Sequence, residues 1–327
     1  MTQRISGQSA GHRLARNIEQ VIVGKRPVVL RAVAAFLARG HILLEDVPGT
    51  GKTMLARALA RSIAGEFRRV QFTPDLLPTD LTGVSIFNQK TAEFEFSEGP
   101  LFANVLLADE LNRATPRTQS ALLEAMEERT VSVDGTTHRL PEPFLVAATQ
   151  NPVEQHGVYQ LPEAQLDRFL VRLALGYATR AEERRIVEEQ QTAHPLEKLE
   201  AVVSIAEVLE EQRNLREVTV ETNVIDYIVR LVGATRTHPE TVLGASARAS
   251  LALHRLGQAM AWITGQRIVT PDLVKKLAPS VLCHRLMLKP QARLAGVTAE
   301  QVVDQILESV EVPVVRMGET EELEEEV

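Results

Sequence analysis

The chain has 327 residues, a formal net charge of −7, 44% hydrophobic and 24% charged residues, and a single cysteine. Those proportions exclude wholesale disorder and fibrous repeats, and the length is enough for about two domains with a sizeable core. One cysteine excludes a disulfide framework or a cysteine-rich zinc site, and the acidic balance speaks against a nucleic-acid binder, which usually carries a basic excess.

Residues 1–11 are polar and lack the apolar core of a secretory signal. The apolar stretch 28–38 is cut by Arg31, and nothing approaches the roughly 18 apolar residues of a membrane span. A soluble, cytoplasmic chain with no membrane contact is the expectation. Residues 41–44 form the first short apolar run, followed by Gly/Pro punctuation and a helical pattern over 54–64. Residues 70–72 make a second run, and 84–97 look like a hairpin inserted within a helical region. Residues 104–108 are a third run ending in Asp109-Glu110, with a helix expected over 115–128. Residues 131–140 centre on Asp134-Gly135, the strongest short hairpin signal. Runs at 144–148 and 169–173 flank a short helix at 162–167. Continuous apolar strands separated by helices predict a parallel sheet covered on both faces.

After Arg180 the pattern is helical, over 181–191, 205–215, 222–235, 246–264, 270–288 and 299–308. All nine phenylalanines lie between Phe36 and Phe169, whereas the second half is rich in Ala, Leu, Glu and Arg. An α/β domain followed by an all-helical one is therefore expected. Glu319, Glu321, Glu322, Glu324, Glu325 and Glu326 carry six of the seven net negative charges. The remainder is nearly neutral, so the case against nucleic acid rests on missing binding elements.

The segment Asp46-Val47-Pro48-Gly49-Thr50-Gly51-Lys52-Thr53 follows a strand and opens a helix at Met54. Glycines let backbone N–H groups wrap phosphates, and the helix N-terminus adds a favourable field. Lys52 would reach the β- and γ-phosphates and the Thr53 hydroxyl would ligate Mg2+. Asp46 stands where such loops usually begin with glycine. Asp109 at the next strand end suits the Mg2+ shell, and Glu110 suits water activation. Asn151 ends the fourth run, where an amide could position water, although Asn before Pro also makes an ordinary turn. Arg168 could supply the second cation to a neighbouring subunit's pocket, or serve a helix C-terminus; Arg113 and Arg117 compete for the first role. Arg248 starts a long helix, as a surface residue or as one reaching over the nucleotide to report its state. Cys283 reads as a buried structural thiol.

Taken together, these segments resemble the MoxR family of AAA+ ATPases. The likeness is carried by Leu44-Glu45-Asp46-Val47-Pro48-Gly49, Gln71-Phe72-Thr73-Pro74-Asp75-Leu76-Leu77-Pro78 and Ala108-Asp109-Glu110-Leu111-Asn112-Arg113-Ala114. It continues through Gln119 to Met126, Ala148-Thr149-Gln150-Asn151-Pro152 and Leu161 to Phe169, covering roughly residues 17–288. The resemblance implies an α/β fold: a five-stranded parallel sheet of order 5-1-4-3-2 flanked by helices, followed by an all-α lid domain. It divides the chain into an N-terminal tail (1–16), a nucleotide-binding domain (17–178), a lid (179–312) and an acidic tail (313–327). It implies a helix-2 insert at the first hairpin and a pre-sensor hairpin at the second. ATP and Mg2+ are the implied cofactors, with Val23 and Gly24 lining the adenine and Pro48, Gly49, Thr50, Gly51, Lys52, Thr53, Met54 and Asp109 holding the rest. Glu110, Asn151, Arg168 and Arg248 are the implied catalytic set. The family pattern is a homo-oligomeric ring, commonly a hexamer, with nucleotide between subunits, so Arg168 would act in trans. The implied function is chaperone-like remodelling, or maturation by cofactor insertion, of a protein client alongside a von Willebrand factor A domain partner. A nucleic-acid motor or loader on the same fold is the alternative; against it, the second hairpin offers only His138 and Arg139 as basic groups.

Overall fold

The computed structural model describes residues 9–150, 159–191 and 194–313, and the statements below concern those residues. The chain opens with helices α1 (Ala10–Ile18) and α2 (Arg26–Leu37). The tail expected through residue 16 is thus corrected from Ala10 onward. Leu14, Ala15 and Ile18 are buried, Ser9 caps the helix, and Gly11 N donates to Glu211 Oε2 at 2.9 Å. Those first amides would otherwise be orphaned at the helix start. Ser9 and the spacing of Leu14, Ala15 and Ile18 are local helix signals, and a carboxylate 200 positions away holds the helix start.

The α/β region continues with β1 (Ile42–Glu45), α3 (Lys52–Ser62), β2 (Phe67–Gln71), α4 (Pro78–Thr82), β3 (Gly83–Asn88), β4 (Glu93–Glu98) and β5 (Val105–Asp109). It then runs through α5 (Pro116–Glu128), β6 (Thr130–Val133), β7 (Thr136–Arg139), β8 (Leu145–Gln150), α6 (Glu163–Leu166) and β9 (Val171–Leu173). Among the described residues a five-stranded sheet has the order β2-β5-β8-β1-β9, every pair parallel. Counting only these strands gives 5-1-4-3-2, as expected. The inner strands β5 and β8 are buried almost throughout, whereas the edge strand β2 is half-exposed and carries Arg68 and Arg69. Charge on an edge strand blunts unwanted pairing, and it hid the first residues of β2 from an apolar-run reading. The loop after β1 leaves the sheet between the C-terminal ends of β8 and β9, at the edge where open α/β sheets bind ligands.

Both hairpins form. The β3–β4 hairpin is preceded by α4, but residues 100–104 make turns and bends, so it has a helix on one side only. Gly83 has φ +94° and a Cβ there would lie 2.3 Å from the Ser97 carbonyl oxygen, so glycine is required. Phe96 of β4 stacks on His138 of β7 with ring centroids 3.9 Å apart, joining the two hairpins.

The second half comprises α7 (Arg180–Glu189), α8 (Pro195–Lys198), α9 (Ile205–Asn214), α10 (Thr222–Thr237), α11 (Ala247–Ile263), α12 (Pro271–Leu282), α13 (Pro290–Leu294) and α14 (Ala299–Ser309). The helix expected over 270–288 ends at Leu282, followed by a 3-10 turn at Cys283–Arg285. Strands β10 (Thr241–Leu243) and β11 (Met287–Leu288) then pair antiparallel, a small exception to an all-helical region. Helix α11 packs against α2, α10 and α12, which seats the helical half on the α/β half through a continuous core. No helix among the described residues is long and apolar enough to cross a membrane.

Candidate functional site

The loop between β1 and α3 uses two glycines in the left-handed region, Gly49 at φ +83° and Gly51 at φ +96°. Nothing lies within 4 Å of a Cβ at Gly49, so the backbone there faces open space. Pro48 is exposed at the turn, while Thr50, Gly51, Lys52, Thr53 and Met54 are half-buried where α3 begins. Lys52 Nζ curls back and donates to the carbonyls of Asp46 (2.7 Å) and Val47 (2.8 Å). Asp46 is buried. Its Oδ1 accepts from Val47 N at 2.8 Å, and its Oδ2 accepts from Leu175 N at 2.8 Å and Gly176 N at 2.7 Å. The carboxylate that replaces the usual glycine therefore clasps the loop to the segment after β9.

A cavity of about 440 Å³ opens beside this loop. Val21, Ile22, Val23, Met54, Ile186 and Val187 give it apolar walls, and Gly49, Thr50 and Gly51 give it one polar end. Gly24 sits against α7, where a Cβ would fall 1.8 Å from Glu182 Oε1 at φ +76°. Lys25 fixes the same corner, with Nζ donating to the Tyr177 carbonyl at 2.8 Å and 3.5 Å from Glu182 Oε2. An apolar pocket ending in a glycine-rich helix N-terminus matches a nucleotide, with its base on the walls and its phosphates at the loop.

Asp109 and Glu110 close β5 beside the loop. Asp109 Oδ2 meets Arg69 Nη2 at 2.6 Å, and its Oδ1 accepts from the Thr149 hydroxyl at 2.6 Å. That hydroxyl oxygen accepts from Glu110 N at 2.8 Å. Glu110 has φ +56°, a conformation non-glycine residues adopt rarely. Gln71 Nε2 donates to Glu110 Oε2 at 2.6 Å, and Arg113 Nε lies 3.1 Å from the same oxygen. Sequence reading missed Arg69, Gln71 and Thr149. Gln71 and Thr149 stand inside the segments that carry the family likeness, which was the available signal; their partners follow only from the folded register, where Gln71 pairs opposite Asp109. An ammonium, a hydroxyl at Thr53, two carboxylates and a bare glycine loop are a donor set that fits a magnesium–triphosphate group, whose metal Thr53 and Asp109 would hold.

Arg168 and Arg248 lie elsewhere. They line a second cavity, of about 410 Å³, with Arg39, Arg129, Arg255 and Arg285. Arg248 does not line the nucleotide-shaped cavity. The cause is its helix start: Ser246, the cap of α11, donates to Asp167 Oδ2 at 2.7 Å, which pins Arg248 to the turn carrying Arg168. Arg285 Nε donates to Asp167 Oδ1 at 2.7 Å from the other side. Arg113 faces Glu110 of its own chain, and Arg117 is exposed on α5. Asn151 and the acidic residues from Glu319 onward lie outside the described residues.

The ATPase family associated with various cellular activities (AAA) matches residues 41–171, and the AAA lid domain family matches 233–306. The chain is 52% identical over 300 residues to the uncharacterised YeaC protein of Bacillus subtilis, covering 92% of this chain and 94% of the relative. It is 42% identical over 306 residues to the protein named chaperone MoxR1 of Mycobacterium tuberculosis, covering 90% and 80%. A crystal structure from Cytophaga hutchinsonii, provisionally named an ATPase, superposes with TM-score 0.86 at 38% identity, covering 93% and 95% of the two chains. With its phosphate loop, acidic strand end and helical lid in place, this chain belongs to the MoxR family of AAA+ ATPases.

Proposed function

We propose that the protein hydrolyses ATP in a Mg2+-dependent manner within a homo-oligomeric, hexameric ring and uses the cycle to remodel or mature a client protein in the cytoplasm. The observation that carries the reading is the cluster of Lys52, Asp109, Thr149 and Glu110 at one sheet edge, next to an apolar cavity. Lys52 exchanges two loop carbonyls for phosphate oxygens. Mg2+, which Thr53 and Asp109 would hold, would supply charge neutralisation of the triphosphate. Asp109, oriented by Arg69 and Thr149, faces that charge. Glu110 takes the proton of the attacking water, and Gln71 and Arg113 hold its carboxylate until substrate arrives. Asn151 positions the water. Val23 and Gly24 border the base. Arg168 and Arg248, grouped on a separate face, complete the site of the adjoining subunit.

The name of the mycobacterial relative supports a chaperone role. A von Willebrand factor A domain protein is the partner that the family resemblance implies. A Glu110→Gln variant is expected to bind ATP with near-normal affinity while turnover falls by about 100-fold or more, the scale of a lost general base. Normal turnover in that variant removes Glu110 from its role. ATPase stimulation by DNA that collapses with salt would replace the client reading with a nucleic-acid motor.

A further inference from the structure

Two arginines from separate parts of the fold converge on one carboxylate. Arg168 belongs to the turn between α6 and β9, and Arg248 to the first turn of α11. Glu127, near the end of α5, lies between them: Oε2 is 3.3 Å from Arg168 Nε and Oε1 is 2.5 Å from Arg248 Nη2. The Arg168 contact is one of charge alone, since its Nε is buried with no hydrogen-bond partner among the described residues. Arg285 and Arg129 line the same cavity, so the two guanidinium groups sit in a strongly cationic surrounding. Without a carboxylate between them they would repel each other and swing apart into solvent. Glu127 is itself fastened from behind: the carbonyl of Met126, the preceding residue, is bonded to the buried His41 ring at 3.1 Å.

We propose that Glu127 is a positioning residue of the ATPase site, holding Arg168 and Arg248 as one cationic pair presented to the triphosphate bound by the adjoining subunit. The inference rests on the trans reading proposed above. It adds that the α/β turn and the helical half deliver their two charges together, through a residue that touches neither nucleotide nor metal. The geometry places Glu127 in the arginine-donating subunit, so its effect belongs to the neighbour's active site and not to its own.

Glu127→Gln keeps the side chain's size and removes its charge. Turnover is expected to fall about tenfold, the cost of a modest misplacement of reacting groups, while KM for ATP stays within about twofold because the Lys52 loop is untouched. Assembly size by light scattering and the melting temperature should match the parent. Mixed rings identify the subunit in which Glu127 acts. Lys52→Ala with Arg168→Ala subunits, the control for the trans reading, should regain turnover. Lys52→Ala with Glu127→Gln should regain it too, and Arg168→Ala with Glu127→Gln should not. Recovery in that last mixture, parental turnover of Glu127→Gln, or a loss explained by altered assembly would overturn the role of Glu127 and leave the trans reading standing. Failure of the control mixture at every ratio, with mixed assemblies shown to form, would overturn both.

Discussion

His41 illustrates what a single side chain does here beyond its place in an apolar run. It is buried at the start of β1, where Val146 N donates to Nδ1 at 2.9 Å, which leaves the ring proton on Nε2 facing the Met126 carbonyl. Burial, reinforced by the charge of Arg129, pushes its pKa down to about 3. Above about pH 6.5 the ring is neutral in both folded and unfolded chains and contributes no pH dependence. Between 6.5 and 3 the unfolded chain takes up a proton that the folded chain refuses, so stability falls as pH falls, by up to about 1.4 kcal/mol per pH unit. His284, buried beside Arg285 and shifted well downward by that burial, adds to the loss in the same direction. Urea unfolding at pH 7, 6 and 5 should show the decline, and His41→Asn should be weaker at pH 7 with a shallower slope. The sequence places His41 at a strand start but says nothing of Val146 or Arg129, because those contacts depend on how β1 lies beside β8 and the end of α5.

At the level of the element, the phosphate loop was legible and its fastening was not. A glycine-rich segment between an apolar strand and a helical pattern has one common physical use, and Gly49, Gly51 and Lys52 adopt the backbone it needs. Asp46 looked like a departure from the motif. Its partners Leu175 and Gly176 lie 129 and 130 residues away, so the reason for an aspartate appears only when β9 is laid beside β1. Asp46→Gly, which restores the commoner motif, should cost about 1–3 kcal/mol for each buried amide left unpaired. Nucleotide titration should show weaker ATP binding alongside the lower urea midpoint; unchanged binding would mean that the clasp serves the fold alone. The edge strand β2 teaches the same lesson. Arg69 and Gln71 read as edge charge and polarity, yet register sets them against Asp109 and Glu110.

For the whole molecule, the joint between the α/β and helical halves runs through Arg285 and Asp167. Arg285 is almost fully buried, and besides Asp167 it donates to the Phe169 carbonyl at 2.6 Å. Asp167 also holds Ser246, so one carboxylate ties α11 and the end of α12 to the turn that carries Arg168. Removing one partner of a buried pair leaves the other charge uncompensated, at a cost of about 3–5 kcal/mol. Arg285→Met should therefore lower stability by roughly that amount and broaden calorimetric melting, as the halves lose their coupling. A single sharp transition at the parental temperature would show that the core contacts of α2 and α11 suffice.

Beyond the strand order, which only the family resemblance implied, the sequence by itself determined the parallel sheet, both hairpins, the helical second half and the phosphate loop with its acidic strand end. Each of these is written in local periodicity, turn residues or a contiguous motif. Tertiary structure alone decided where the helix over 10–18 docks, that Arg248 joins Arg168 and not the nucleotide cavity, and that Asp46, Glu127 and Asp167 act as clasps. Those outcomes depend on hydrogen bonds and ion pairs between residues as much as 200 positions apart. Such pairings are chosen by how whole elements pack, and no local pattern encodes them.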